Sequence, residues 1–185
     1  MKRLHKLTAL LLALGLAAGL AGTAFAADAP RYTDVPGGAR EYVARVTELG
    51  LVDGRTDTAF GSNEPMTRAE LVTALYRLAK TPDVKDVDNP FTDVKEEDPC
   101  RDAVVWAHTQ KIVEGRGEGV FDPNGSVKRQ EIAKILNEFA ARQVGRDGLE
   151  SRKDVASAYP DAGKVSGWAK GYMNWAAASG FITGH

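Results

Sequence analysis

Cysteine, histidine and any excess of one charge are scarce in this chain of 185 residues. The single cysteine, Cys100, has no partner within the chain, which excludes a disulfide framework. No pattern of basic neighbours around it suggests a depressed pKa, so it reads as a small, partly buried apolar residue and not a reactive thiol. The three histidines, His5, His108 and His185, are too scattered to build a Ser-His-Asp or Cys-His arrangement, and no catalytic residue is expected. The stretch Asp53-Gly54-Arg55-Thr56-Asp57 lacks the aspartate spacing and closing glutamate of a calcium loop, so neither a metal nor a cofactor is expected. Acidic runs such as Glu96-Glu97-Asp98 read as solvated surface. With 24 basic and 25 acidic side chains, the sequence has no basic excess to release counterions from nucleic acid.

What is present begins at the N-terminus. Lys2, Arg3 and Lys6 precede an apolar run from Leu7 to Leu20, and small residues then lead to Ala24-Phe25-Ala26. This order matches a secretory signal peptide over residues 1–26, cut after Ala26. The run is shorter than the roughly 20 residues a spanning helix needs, and no later segment could span a bilayer. Removal of residues 1–26 takes three positive charges and moves the formal charge from −1 to −4. No membrane contact is expected after that cut.

The remainder is built from a repeat, sought first because a fixed period decides the architecture. Tyr32-Thr33-Asp34-Val35, Phe91-Thr92-Asp93-Val94 and Tyr159-Pro160-Asp161-Ala162 open three units, expected at 32–79, 91–141 and 159–185. Gly54, Phe60, Arg68, Glu70, Leu71, Leu75 and Leu78 recur 61 positions later as Gly115, Phe121, Arg129, Glu131, Ile132, Leu136 and Phe139. In unit three, Trp175, Gly180 and Gly184 follow Tyr159, and the second half of the repeat would fall after His185.

Each unit reads as helix, loop, helix, and the fold class is all-α. Tyr42, Val43, Val46 and Leu49 make an apolar stripe at helical spacing, as do Val104, Val105 and Trp106, then Tyr172, Met173, Trp175 and Ala176. Trp106 and Trp175, matched by Arg45 in unit one, read as packing residues. Each first helix runs into Gly50-Leu51-Val52-Asp53-Gly54 or its counterpart, whose glycines are expected to take the left-handed conformation that ends a helix. Thr67 followed by Glu70 is a capping box that starts the second helix. Lys128 stands where Thr67 does, and that helix start is expected to fray unless Ser126 caps it. The stretches Lys80 to Pro90 and Arg142 to Ala158 read as exposed linkers.

These motifs resemble the S-layer homology domain, with its opening Phe-x-Asp-Val, Gly-Ile-x-x-Gly, Phe-x-Pro and Thr-Arg-Ala-Glu. Unit one carries Thr67-Arg68-Ala69-Glu70; unit two carries Phe121-Asp122-Pro123 and the altered Lys128-Arg129-Gln130-Glu131. The resemblance implies a pseudo-threefold spindle whose grooves bind secondary cell-wall polysaccharides, often bearing pyruvate ketals, and hence a location at the cell wall. It also leaves S-layer self-association open. Trp168 fits the place of a family tryptophan, whereas Gly37-Gly38 and Pro99-Cys100 stand there in units one and two.

On this reading Arg68 and Arg129 are the anion anchors, since a guanidinium grips a carboxylate through two parallel hydrogen bonds and each lies at a helix N-terminus. Trp168 offers a flat face to sugar C–H groups. The other reading pairs each arginine internally, with Asp34 or Asp93, or with Glu70 or Glu131. Asp34, Gly54, Thr67, Glu70, Asp93, Gly115, Glu131, Asp161 and Gly184 are the motif residues expected to shape the repeats. Two further readings compete with wall anchoring by this chain alone. In one, the repeats anchor an enzyme or adhesin module beyond His185; in the other, they form a helical scaffold for another protein.

Overall fold

A computed structural model describes residues 31–145, 154 and 156–182. The expected signal peptide and Gly184 lie outside the described residues. Within them the regular structure is helical: α1 (Arg40–Glu48), α2 (Arg68–Leu78), α3 (Arg101–Thr109), α4 (Arg129–Val144) and α5 (Lys170–Ala178). Short 3-10 turns at Gly37–Ala39 and Gly167–Ala169 lead into α1 and α5. The chain is therefore all-α, built from tandem helix-loop-helix units.

The helix starts follow from local chemistry. At α2, Glu70 N–H donates to Thr67 Oγ1 at 3.2 Å and Thr67 N–H donates to Glu70 Oε2 at 2.8 Å, so the capping box is complete. The two amides ahead of it, Arg68 and Ala69, donate to Gly125 O and Pro123 O of unit two at 2.9 and 3.0 Å. No first-turn donor of α2 is left open. At α4, Lys128 N–H donates to Glu131 Oε2 at 2.9 Å, and Glu131 and Ile132 N–H both return to Lys128 O. The expected fraying is thus corrected. The glutamate half of the box bonds a backbone amide, which lysine supplies as well as threonine does, although lysine has no side-chain oxygen for the other half. Ser126 is no cap; it pairs with Thr67 in an isolated antiparallel bridge.

The glycines divide into two kinds. Gly50 and Gly180 end α1 and α5 at φ +65° and +75°, and Lys111 takes the same left-handed place after α3 at +57°. Gly54 and Gly115 do not. A Cβ on Gly54 would lie 2.4 Å from the Tyr32 ring, and one on Gly115 would lie 2.7 Å from Val120 O and 2.8 Å from the Phe91 ring. Close approach requires glycine there, not backbone conformation.

Asp34 and Asp93 close each loop onto the start of its unit. Asp34 accepts from the amides of Phe60, Gly61 and Ser62 at 2.8, 2.7 and 3.1 Å, and Asp93 accepts from Phe121 and Asp122 at 2.8 and 2.7 Å. The three amides drawn onto Asp34, that of Phe60 foremost, hold its carboxyl below the usual value. Phe121, fully buried at the end of its loop, stacks at 5.2 Å on Phe91. Burying such a ring contributes about 1.5–3 kcal/mol.

Units join helix on helix: α2 packs on α3, and α4 on α5. Trp106 sits between Tyr76 of α2 and Phe139 of α4, with ring centroids 5.6 and 6.3 Å away, and belongs to one core shared by units one and two. A smaller core joins α4 to α5 through Ala133, Ala140, Ala141, Trp175, Ala176 and Ile182. Among the described residues no helix packs closely on α1 as α2 does on α3 and α4 on α5, and Tyr42 is 71% exposed where its counterpart Ala103 is 2% exposed. Most described residues of both linkers are exposed as expected, and residues 146–153 and 155 of the second lie outside the described residues; one point in each linker needs correction. Val84 is buried in the core, and Arg101 donates to Val84 O and Val87 O at 3.1 and 2.8 Å, pinning that segment. Arg142 is helical, because Ala140 and Ala141 carry the apolar face of α4 onward.

Candidate functional site

Arg68 is where the first two units meet. Its Nε donates to Phe121 O at 2.9 Å, one Nη donates to Glu114 O at 2.8 Å, and the guanidinium lies 4.6 Å over the Phe121 ring. It is 5% exposed, and burial, followed by the charge of Arg116, lowers its pKa from the ordinary value. The arginine of unit one therefore holds the main chain of unit two. None of the four carboxylates named for the arginines forms an ion pair with Arg68 among the described residues: Asp34 and Asp93 accept backbone amides, Glu70 pairs with Arg55 and Glu131 with Arg116. The charges of Glu131 and Asp93 still favour its protonated form.

An open groove with about 190 Å³ of free volume lies beside Arg68. Its floor is the loop Ile112–Arg116 after α3, one wall is Glu131, Lys134 and Ile135 of α4, and the rim carries Trp168. That volume is below the roughly 300–1,000 Å³ of pockets that enclose a drug-sized ligand, so the groove suits one ring or edge of a longer molecule. All three units contribute: Arg68 from the first, the loop and α4 from the second, Trp168 from the third.

Trp168 is 52% exposed yet not loose. Its turn is anchored by buried Ala169 and tied to α4 by two reciprocal hydrogen bonds, Gln130 Nε2 to Ser166 Oγ at 3.0 Å and Ser166 N–H to Gln130 Oε1 at 3.1 Å. An indole held by its base with its face in water is suited to stacking on an apolar sugar face.

The charges around the groove are paired in a repeated pattern. Arg116 donates to Glu131 at 2.5 Å, and Arg55, 61 positions earlier, pairs with Glu70. Burial raises the pKa of both glutamates, but their backbone bonds to Lys128 and Thr67 and these arginines outweigh it and bring the carboxyls below their ordinary values. Lys134 donates to Glu114 at 2.8 Å and lowers that carboxyl in turn.

Arg68 and Trp168, 100 positions apart in sequence, thus meet at one groove. Arg129 does not join them: it is exposed at the first turn of α4 and is not among the lining residues. Thr67 and Glu70 form the α2 cap, Asp34 and Asp93 close loops, Gly115 and Glu131 line the groove, and Gly54 packs under Tyr32. Asp161 is exposed before the turn Ala162–Lys164, without a side-chain cap bond to it. Burial pushes the Cys100 thiol up and disfavours its thiolate. Sequence reasoning missed Arg55, Arg116, Glu114, Gln130 and Lys134. Only the two arginines carried a signal, each following a repeat glycine in the shared register.

A family described as the S-layer homology domain matches residues 31–72, 90–133 and 158–184, more than half of the chain. The chain belongs to the S-layer homology domain family. Among its relatives, the surface-layer 125 kDa protein of Lysinibacillus sphaericus is 31% identical over 91% of the chain and 14% of that protein. A cell surface protein of Thermoanaerobacter kivui is 30% identical over 90% of the chain and 22% of that protein. The amylopullulanase of Thermoanaerobacterium thermosulfurigenes is 28% identical over 79% of the chain and 8% of that enzyme. The chain spans less than a quarter of the length of each. S-layer homology domains are non-catalytic anchoring modules, and membership places this one at the cell surface.

Proposed function

We propose that the chain anchors an exported protein by binding an anionic secondary cell-wall polysaccharide in the groove between Arg68, Lys134 and Trp168. The observation that carries this reading is the groove itself, open to solvent, built by all three units and combining cationic side chains with a half-exposed indole. Such a site binds a sugar ring by stacking and a carboxylate by charge-assisted hydrogen bonds. Nη1 of Arg68 has no protein partner among the described residues and remains for a ligand, and a pyruvate ketal is a carboxylate of suitable size. The helix N-terminus plays no part at α2, since its amides are taken by unit two. Arg129, outside this groove, is not needed by the proposal.

The test is a pull-down on purified bacterial cell walls before and after extraction of their secondary polymers, with Trp168→Ala beside the unaltered chain. Trp168 is exposed, so its removal should leave helicity intact while weakening retention about tenfold, the typical effect of about 1–1.5 kcal/mol of lost ring stacking. Retention that survives polymer extraction would sink the reading. A second reading, in which these repeats anchor a larger surface enzyme or adhesin, is favoured by the small share of each relative that they match. It differs in cargo and not in the groove.

A further inference from the structure

The three cations of the groove are held very unequally. Arg68 is buried and fixed by two backbone carbonyls. Arg116 is bound to Glu131, which also bonds the amide that starts α4. Lys134 is paired with the Glu114 carboxylate at 2.8 Å, and that glutamate side chain is 79% exposed, the lysine 30%. The Glu114 main chain is meanwhile locked by Arg68, so its carboxylate can leave Lys134 by side-chain rotation alone, without disturbing the loop.

We propose that Lys134 is the exchangeable anion contact of the groove and Glu114 its resting counter-ion, which a carboxylate-bearing sugar displaces. This rests on the polysaccharide reading above. An exposed ion pair costs little to break, whereas exchanging Arg116 would strip the mostly buried Glu131 carboxylate of its cation and exchanging the Arg68 bonds would release buried carbonyls. Lysine is a compact charge with three rotatable donors and accepts a new carboxylate without a fixed approach geometry. When it does so, Glu114 turns into water and no buried charge is left unpaired. A neutral polymer gains nothing from Lys134, because its hydroxyls would have to replace a carboxylate. The pair is particular to this groove: 61 positions earlier stand Asp53 and Thr73, and Asp53 pairs with Arg77 instead.

The experiment measures retention of the full chain on purified cell walls across a salt series, for the unaltered chain, Lys134→Gln, Lys134→Arg and Glu114→Gln. Lys134→Gln should weaken binding about tenfold, the equivalent of one charge-assisted hydrogen bond. It should also flatten the salt dependence, while Lys134→Arg restores most of the affinity. Glu114→Gln removes the competing charge and should tighten binding. A merely structural pair would make Lys134→Gln and Glu114→Gln weaken binding alike, and that result overturns the proposal. So does unchanged binding of Lys134→Gln beside a chain that binds, which would leave the anchoring reading standing. Failure of the unaltered, folded chain to bind intact walls overturns both. If Lys134→Gln loses its helical circular dichroism, Glu114→Gln decides alone: tightening supports the exchange, and any other result ends it.

Discussion

Gly115 is crowded on two sides, by the carbonyl of Val120 and the ring of Phe91, and neither neighbour is the far end of a flexible chain. Gly115→Ala should therefore destabilise by about 1–3 kcal/mol, the range for overpacking a filled interior. Because the residue also lines the groove floor, wall binding should fall with stability; urea denaturation followed by circular dichroism, beside a wall pull-down, checks both. The carboxylates make a second residue-scale prediction. Asp34, Glu70, Glu114 and Glu131 all sit below their ordinary values of 3.8 and 4.5 in the folded chain. Depressed folded values mean that the unfolded chain binds protons first, so their stabilisation is full above about pH 4.5 and drains away as pH falls through the lower folded values. Thermal melts should be level from pH 7 to pH 5 and drop steeply towards pH 3. A transition temperature that holds or rises on acidification would show that these contacts do not stabilise the fold. The aspartates were legible as motif residues, but not their partners. A carboxylate that accepts backbone amides leaves no mark on the identity of the residues that donate them.

At the scale of elements, the sequence was most readable where the chemistry is local. Thr67 and Glu70 announce the start of α2 by spacing alone, and the apolar residues named for α3 and α5 are largely buried, but the stripe read on α1 buries only Val43 and leaves Tyr42 and Leu49 exposed. It was least readable where a distant unit decides. Nothing near Val84 says that Arg101 will seize its carbonyl, and nothing near Arg142 says that Trp175 will extend the buried face of α4. Gln130 is such a case with a functional edge. It occupies the third position of an altered motif, and its amide holds the turn that carries Trp168. Gln130→Ala removes both hydrogen bonds, each worth about 1 kcal/mol, without touching the core or the groove lining. The expected result is an unchanged helical signal with weaker retention on cell walls, as the indole loses its orientation. Retention equal to that of the unaltered chain would mean that the turn is held by Ala169 and its neighbours alone.

At the scale of the whole molecule, the repeat was plain in the sequence but the groove was not, because its parts lie in three units, joined by packing of α2 on α3 and α4 on α5 and by the hydrogen bonds of Arg68 and Gln130 across the joints. That division makes binding hostage to the weakest joint. Units one and two share a core that holds Trp106, Phe121, Ile112 and Val72, all nearly or fully buried, whereas unit three docks chiefly through alanines, Trp175 and Ile182. Burial free energy scales with apolar area, so α5 and the turn before it should separate from α4 at lower denaturant than the rest unfolds. The first step would carry Trp168 away from Arg68 while leaving α2, α3 and most of α4 in place. In a urea series, retention on cell walls should accordingly be lost before the far-ultraviolet helical signal, and the gap should close for a variant whose α4–α5 contact is strengthened. Superimposable curves would instead indicate that the three units unfold as one cooperative body, with the small second core coupled to the large one through α4.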